Sequence, residues 1–567
     1  MTHRFSGSLR GAAFALVAAS AMLAVTSCGG GGSSGSSGVP LPKGGSASTA
    51  SVTIIIHWPA AAGSTSSRRH PSYISPSTKS VSIVVNGSST TVANNPAFTG
   101  TPASTSVVNV NAPVSTSGPD TFLVTSFDQL SAAGNILGQV SVPFTVVLDV
   151  ANTLSVTLNG NLEKIGCEAI APFVTGTTAM TLVGPAGQLA LLPEDADGNI
   201  IVAPGAIPAL ALTPAMASQA TITSTSTPNE FNVNLLVSGT AVTLNGTGSD
   251  LNGDPISTTC SITRVPALYV ANHSAGGTSP SITIYPASAT SASTPVATLA
   301  GSNTELTAVQ FLAVDPKGNL FVTNQGPMPG ATFGPDSGYV SIYSPASGQV
   351  GNQAPISTIP NINTPEGIAF DSSNALHVLS IDRVTTYPSS ADGVTAPAAA
   401  SSTIMGSNTD LFSCYGMFVD STGIVYTACS DVLNIFAAGA SGNATPAEVE
   451  SIGATSLTFS SHSWLDVAAD SSGNFYAPAS NNNENFVEEF AAGSGANPAA
   501  TPLPTLSKGV GYSQPIGVWV DASNNIYVTN YGSSSVDIFT SAAAFDLGVA
   551  TNTVSTGIDA PYGVTVR

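Results

Sequence analysis

The stretch "PEGIAFDSSNALHVLS" (365–380) decides the fold of the C-terminal half of this chain. A short apolar run ends in Asp371, a polar turn follows, and a second apolar run carries His377 at its centre. The stretch "GVWVDASNNIYVTN" (517–530) repeats this order, with Tyr527 at the matching place. Two short apolar runs separated by turn-forming residues predict a β-hairpin.

The hairpin recurs after Pro266 with a period near 50 residues. Its aspartates are Asp315, Asp371, Asp420, Asp470 and Asp521. A third apolar run follows each hairpin and carries an aromatic residue at Tyr285, Tyr343, Tyr387, Phe436, Phe490 and Phe539. An aspartate at the start of a turn accepts hydrogen bonds from the backbone ahead of it, so we interpret these acids as turn residues. A period of this length, built from short strands, predicts a β-propeller.

The two ends of the repeat region are each incomplete. The run "PALYVAN" (266–272) lacks a first strand before it, and "PYGVTVR" (561–567) lacks a second strand after it. We therefore expect the last strand to pair beside 266–272, which would close a ring and remove its free sheet edges. The expected count is six blades.

The repeat resembles a known family motif. The pattern Pro-x-Gly-[Ile/Val]-x-[Val/Phe]-Asp, as in Pro365 to Asp371, is similar to the NHL repeat and to the wider gluconolactonase-like superfamily. The resemblance spans residues 266–567 and implies a six-bladed propeller. NHL-like propellers include binding modules, lactonases and lyases, so the resemblance implies a fold and leaves the function open.

The N-terminus looks like an envelope-targeting segment. Residues 1–28 carry Arg4 and Arg10, then a short apolar stretch, then Val25-Thr26-Ser27-Cys28. This order resembles a bacterial lipoprotein signal, in which Cys28 is acylated with palmitate-type chains. The expected location is the bacterial cell envelope, lipid-anchored and extracytoplasmic, at the outer membrane or cell surface. The alternative is an ordinary cleaved signal. Residues 29–49 are Gly/Ser-rich and predict a tether.

Composition limits the remaining possibilities. The 567 residues contain 32 Asp and Glu against 12 Lys and Arg, a formal net charge of −20, which argues against binding nucleic acid through its phosphates. Short apolar runs in 50–160 and 161–264 predict two β-sandwiches that look like bacterial immunoglobulin-like domains. The predicted class is therefore all-β, with these two domains followed by the propeller at 265–567.

Four cysteines remain after Cys28, an even number for an oxidising compartment. Counting outward from the turn at Asp420 places Cys414 opposite Cys429, which predicts a cross-strand disulfide. Cys167 and Cys260 bracket the second predicted sandwich, and a disulfide between them would join its first and last strands. The alternative is free thiols.

A loop at 250–254 has the alternation of a calcium ligand set. Asp250, Asn252 and Asp254 stand at alternate positions, but Pro255 and Ser261 occupy the places where an EF-hand loop requires Gly and Glu. A plain polar turn is the preferred interpretation. Calcium at this loop is the one cofactor that we consider, and otherwise no cofactor is expected.

Ligands of propellers usually meet the channel mouth, where first strands begin. The matching positions are Gln310, Glu366, Tyr415, Leu465, Ile516 and Tyr562. Lactonases of the resembling superfamily hold a divalent metal with acids and amides from several blades, and related lyases use a channel histidine. The candidates here are Glu366, Asp466 and His462. The sequence favours a non-enzymatic module that binds a protein, glycan or small ligand, with a metal-assisted lactonase-type hydrolase or lyase as the alternative.

Overall fold

The computed structural model describes residues 48–567 except 59–74, 100–104, 178, 203–204, 274–278, 328–335, 390–398, 431, 452–462, 481–484, 491–511 and 547. Its regular structure is almost entirely β-strand. One short helix, α1 (Ala542–Asp546), and four 3-10 turns, at 96–98, 130–132, 302–304 and 346–349, complete the regular structure of the described residues. None of the described helices is long and apolar enough to cross a membrane.

The first region packs two sheets around one apolar core. Its strands are β1 (Thr49–His57), β2 (Ser80–Val85), β3 (Ser89–Asn94), β4 (Thr105–Pro113), β5 (Asp120–Phe127), β6 (Ile136–Phe144), β7 (Asn152–Leu154) and β8 (Asn159–Gly160). One sheet has the order β4-β1-β7 and the other β3-β2-β5-β6-β8. Alternate residues of β1 point inward, so Val52 and Ile54 meet Ile83 and Phe122 of the facing sheet.

The second region is also two-layered. Its strands are β9 (Lys164–Ile170), β10 (Val174–Thr175), β11 (Ala179–Val183), β12 (Ala186–Glu194), β13 (Ala211–Pro214), β14 (Ala220–Ser224), β15 (Glu230–Leu235), β16 (Ala241–Ser249) and β17 (Pro255–Val265). The sheet orders are β10-β11-β17-β16-β13 and β14-β15-β12-β9. The Cys167–Cys260 disulfide joins β9 of one sheet to β17 of the other, the pair predicted from the sequence.

Four-stranded antiparallel sheets make up the C-terminal half, and we call each of them a blade. In chain order the strands are β18 (Ala267–Asn272), β19 (Ser281–Pro286) and β20 (Ala297–Ala300); β21 (Val309–Val314), β22 (Leu320–Asn324), β23 (Gly338–Tyr343) and β24 (Ser357–Ile362); β25 (Pro365–Phe370), β26 (Leu376–Ser380), β27 (Arg383–Tyr387) and β28 (Ser402–Ile404); β29 (Cys414–Val419), β30 (Val425–Cys429), β31 (Val432–Phe436) and β32 (Glu448–Ser451); β33 (Ser463–Trp464), β34 (Ala468–Ala469), β35 (Phe475–Ser480) and β36 (Asn485–Phe490); β37 (Pro515–Val520), β38 (Ile526–Asn530), β39 (Ser535–Phe539) and β40 (Asn552–Val554); and β41 (Pro561–Val566). Neighbouring strands within a blade follow chain order, which is the topology of propeller blades.

The last strand completes the first blade. β41 pairs antiparallel with β18, from Leu268 opposite Val566 to Asn272 opposite Pro561, as the incomplete ends of the repeat predicted. First strands of successive blades also approach closely. A Cβ added at Gly416 would lie 2.4 Å from Cα of Asp466, and one at Gly563 would lie 2.7 Å from Cα of Phe311. Only glycine permits this spacing, which explains its place in the repeat.

The turn aspartates bind their own hairpins. Oδ1 of Asp371 accepts hydrogen bonds from the backbone N–H groups of Ser373 at 2.8 Å and Ala375 at 2.9 Å. Asp420, Asp470 and Asp521 make the same pair of bonds within their turns. These carboxylates are therefore turn residues, as the sequence predicted.

The two sandwiches and the blades contact one another in chain order. Oγ of Ser75, in the first region, donates to Oδ2 of Asp195 in the second at 2.5 Å. The second region contacts the turn between β21 and β22, where Nδ2 of Asn234 reaches the Lys317 carbonyl at 3.5 Å. One continuous buried apolar cluster extends from Leu162 to Tyr343 and so spans both the second region and the first two blades.

Candidate ligand site at the mouth of the blades

Each blade brings two chain segments together at one face. Because the first and second strands are antiparallel, the start of one lies beside the end of the other, as with Pro365 opposite Ser380 and Pro515 opposite Asn530. We call this face the mouth. First strands contribute to it Gln310, Glu366, Tyr415, Leu465, Ile516 and Tyr562, and segments following second strands contribute His273, Gln325, Ile381, Ser430 and Tyr531.

Glu366 is a buried carboxyl group at the mouth. Its side chain is on β25, and the residue is only 4 % exposed. The amide nitrogen of Gln325, from the preceding blade, donates a hydrogen bond to Oε1 of Glu366. Burial raises the pKa of Glu366 to about 8, with the hydrogen bond from Gln325 acting in the opposite direction. At neutral pH this group is therefore largely a neutral carboxylic acid, able both to donate and to accept a hydrogen bond.

Three rings lie together beside this pair. The imidazole of His273 stacks on Tyr562 with ring centroids 4.3 Å apart, and Tyr531 meets Tyr562 edge-on at 5.6 Å. Burial, together with smaller electrostatic contributions from Tyr531 and Glu366, raises the pKa of Tyr562 to about 12. These contributions place the ring group and the Glu366 carboxyl within electrostatic reach of one another.

His273 has a fixed orientation. Its Nδ1 lies 2.9 Å from the carbonyl oxygen of Val309, which can only accept, so Nδ1 carries the hydrogen. The side-chain nitrogen of Gln310 lies 3.3 Å from the same Nδ1 and donates to the Ala308 carbonyl at 3.1 Å. In the neutral ring, Nε2 of His273 is then the nitrogen that accepts hydrogen bonds.

Asp466 has a different environment from Glu366. It lies in the break between β33 and β34 and is buried. Oδ1 accepts from the backbone N–H of Val467 and Oδ2 from that of Val518, both at 2.9 Å. Burial raises the pKa of Asp466 well above its ordinary value, against the effect of these two hydrogen bonds. The Asp466 carboxyl group therefore links the first strand of its own blade to β37 of the next blade, and both of its oxygens accept backbone hydrogen bonds.

The other sequence-based candidates do not join this group. Asp250 closes its own turn, because Oδ1 accepts from the N–H groups of Asn252 at 2.9 Å and Asp254 at 2.7 Å. The turn aspartates of the blades accept the same two backbone hydrogen bonds. The bonds of Asp250 therefore fit the interpretation of 250–254 as a plain polar turn. His462 and Cys28 lie outside the described residues.

In the described part of the chain, no group of three or more His, Cys, Asp and Glu side chains is placed to hold a metal ion. A cavity of about 300 Å³ does occur, but it lies in the second sandwich, beside Cys167, Leu192 and Ile200, and not at the mouth.

Sequence reasoning missed half of the mouth. His273, Gln325 and Tyr531 each follow an asparagine that ends a second strand, namely Asn272, Asn324 and Asn530. That recurring asparagine was a usable signal, because it marks where the second strand reaches the face at which the first strand begins.

No family model matches the chain, and no curated protein matches it. Similar solved structures include a virginiamycin B lyase from Staphylococcus aureus, at 12% identity over 43% of this chain and 69% of that one, with a TM-score of 0.28. A protein from Lactobacillus plantarum matches at 10% identity over 53% and 99%, with a TM-score of 0.35. A gluconolactonase from Xanthomonas campestris matches at 15% identity over 56% and 85%, with a TM-score of 0.21. Similarity at this level says nothing about the activity of this chain.

Proposed function

We propose that this chain is a membrane-anchored, extracytoplasmic six-bladed β-propeller that binds a small neutral glycan at its mouth. The observation that carries the proposal is that the Glu366–Gln325 pair and the packed rings of Tyr562, His273 and Tyr531 lie at the same face of the blades, with Glu366 influencing the pKa of Tyr562. Ligand sites of this kind combine aromatic surface with a few fixed polar groups.

The chemistry of the mouth matches a saccharide. Tyrosine rings offer a flat apolar surface with a polar hydroxyl at the edge, which suits the C–H face of a sugar ring. Glu366 in its acid form, the Gln325 amide and Nε2 of His273 supply both donors and acceptors for hydroxyl groups. A neutral ligand is favoured because Glu366 in its acid form and the Gln325 amide carry no charge.

The six-bladed closed ring and the two immunoglobulin-like domains are part of the proposal. The pairing of β41 with β18 and the glycine contacts between successive first strands support closure. The paired sheets of 49–160 and of 164–265 support two sandwiches, and the proposed divisions are 50–160, 161–264 and 265–567.

The arrangement of the regions favours display of the mouth. The second sandwich contacts Lys317 and Gly318, in the turn between β21 and β22 of the second blade. First strands begin at the opposite end, so the mouth faces away from the sandwiches. A stalk of two sandwiches on a lipid anchor would present the mouth to the surroundings of the cell.

The anchor itself rests on the sequence. A signal over 1–28, acylation at Cys28 and a tether over 29–49 place the chain in the cell envelope, with the membrane as a partner through lipid. Mass spectrometry of the mature N-terminal peptide tests this directly. The expected result is a peptide that begins at Cys28 and carries the mass of acyl chains, and an unmodified N-terminus elsewhere would reject the anchor.

Binding is tested on a microarray of neutral oligosaccharides, followed by calorimetry with the oligosaccharide that binds. Replacing Tyr562 by Ala removes the central ring and should weaken binding about tenfold or more, as expected for loss of a stacked aromatic contact. Gln325→Ala should weaken it as well. Phe98→Ala is the matched control, because Phe98 lies in the first sandwich, away from the mouth, and is 43 % exposed. Saccharide binding that is unchanged in Tyr562→Ala, or absent in the parent, would contradict the proposal.

A second candidate, a lactonase-type hydrolase or lyase, is favoured by one observation. A pKa near 8 puts Glu366 in the range of a general acid or base at neutral pH. Turnover of simple sugar lactones, assayed with and without added Ca²⁺ or Mg²⁺, tests it. Hydrolysis that is lost in Glu366→Gln while saccharide binding is retained would favour the enzyme.

A further inference from the structure

One loop of the first sandwich exposes three apolar side chains. Val147, Leu148 and Val150, between β6 and β7, are 45%, 47% and 59% exposed. The preceding Val146 is buried in the core of the sandwich. Isolated exposed apolar residues are common on protein surfaces, but a group on one loop tip indicates a contact.

The loop is held in a defined shape. Nδ2 of Asn152 donates to the carbonyls of Val147 at 2.9 Å and Val150 at 3.1 Å, and its Oδ1 accepts from the Val147 N–H at 3.0 Å. These bonds pair the N–H and the carbonyl of Val147 and the carbonyl of Val150 with one side chain. The apolar side chains of the loop are therefore free to meet an apolar surface.

The loop lies at the end of the sandwich where the described chain begins. The N–H of Val146 donates to Oγ of Ser115 at 2.8 Å, and the adjacent Val114 donates to the carbonyl of Ser48 at 2.7 Å. At the opposite end of the same sandwich, β6 pairs with β8, the last strand before the second region, and Ser75 contacts Asp195 of that region. The loop and Ser48 thus share the end that lies away from the blades.

We propose that Val147, Leu148 and Val150 contact the lipid surface that holds the chain through Cys28. This rests on the proposed anchor, which precedes Ser48 by 20 residues. A Gly/Ser-rich coil of that length spans roughly 25 Å, so the anchored loop would meet the bilayer at high effective concentration. Asp149 lies between the apolar side chains and limits the contact to the interface. Seating this end on the membrane directs the mouth outward.

The test uses the mature chain with Cys28→Ser, so that no acyl chain contributes. Its sedimentation is measured with vesicles of phosphatidylcholine and phosphatidylethanolamine, which carry no net charge and do not repel the acidic protein. Serine at all three positions, Val147→Ser, Leu148→Ser and Val150→Ser, should lower the vesicle-bound fraction about tenfold, because binding follows the apolar area buried.

Two further variants distinguish binding by the loop from misfolding and from nonspecific binding by other exposed apolar residues. Asp149→Asn removes the charge at the loop tip and should raise binding several-fold, a gain that a damaged protein would not show. Val107→Ser is the control, because Val107 is 64 % exposed on the flank of the same sandwich and should leave binding unchanged.

Several outcomes would overturn the proposal. The first is a parent chain that does not sediment with vesicles, and the second is a triple variant that sediments as well as the parent. The third is a concentration-dependent dimer that forms without vesicles and that the triple variant abolishes. That result would assign the loop to contact with a second copy of the chain. Failure of the anchor is seen separately, as an unacylated N-terminus in mass spectrometry with vesicle binding by the loop intact.

Discussion

The Gln325 side chain donates a hydrogen bond to the buried Glu366 carboxyl group from a neighbouring blade. The two residues lie 41 positions apart in sequence and meet because β22 ends at the face where β25 begins. The contact fixes the carboxyl group at the mouth, where burial keeps it protonated at neutral pH. The properties of the candidate site therefore depend on how neighbouring blades fit together.

Ionisation of Glu366 should make stability depend on pH. Its folded pKa is about 8, above the ordinary value of 4.5. The unfolded chain releases this proton first, so the contribution to stability is complete below about pH 4.5 and is lost as pH rises to about 8. The loss is on the order of 3–5 kcal/mol. Glu366→Gln keeps the shape and should remove this part of the pH dependence in urea denaturation at pH 5 and pH 9.

The control for that experiment is Glu230→Gln, which changes the formal charge equally at a half-buried site in the second sandwich. It should leave the difference between the two pH values unchanged. If Glu366→Gln and the parent lose the same stability between pH 5 and pH 9, Glu366 ionises freely in the folded protein and its neutral form has no role at the mouth.

Asp466 should matter for stability rather than for ligand chemistry. Asp466→Ala would leave the buried N–H groups of Val467 and Val518 without their acceptor, at a cost of about 2–4 kcal/mol. Asp420→Ala removes two similar bonds in an exposed turn and should cost about 1 kcal/mol or less. Urea denaturation measures both. Equal losses in the two variants would show that burial of Asp466 has no energetic consequence.

The two disulfides should stabilise the chain to different extents. Cys414–Cys429 closes a loop of 15 residues and Cys167–Cys260 one of 93. Chain entropy then predicts a loss of about 3 kcal/mol for the paired Cys414→Ser and Cys429→Ser variant. The longer loop should cost more, about 4–5 kcal/mol. Guanidinium denaturation of each double variant measures this, and the reverse ranking would show that local strain or residual structure dominates.

The blade pattern was legible from the sequence for a physical reason. Turn aspartates and alternating apolar residues are local requirements of each hairpin, so Asp371 identifies its own turn. The repeated glycine, such as Gly367, recurs because each first strand lies close to the next one. The pairing of β41 with β18 also followed, because both end segments lacked a partner. Cys414 and Cys429 lie within one hairpin, where counting from the turn sets their register.

The candidate site was harder to predict because it depends on contacts between blades. Glu366 was recognised from its place on a first strand. The sequence around Gln325 or Tyr531 does not predict which residues of other blades they contact. In the first region, β3 has four polar residues against two apolar ones, so no local apolar pattern marks it as a strand. Asp466 was grouped with Glu366 by position, and only the structure shows its backbone partners.

Closure of the ring gives the most direct test of the fold. Val564, on β41, is 4 % exposed and lies opposite Val270 of β18. Val564→Asp would bury an unpaired charge at this junction and should cost more than about 3 kcal/mol, because a closed ring shares its stability among all blades. Val92→Asp, on a half-exposed strand of the first sandwich, is the control. If β41 closes the ring, calorimetry will show that Val564→Asp moves the whole C-terminal unfolding transition to lower temperature. If β41 adds a strand to the first blade without closing a ring, Val564→Asp and Val92→Asp will lower the unfolding temperature by similar amounts.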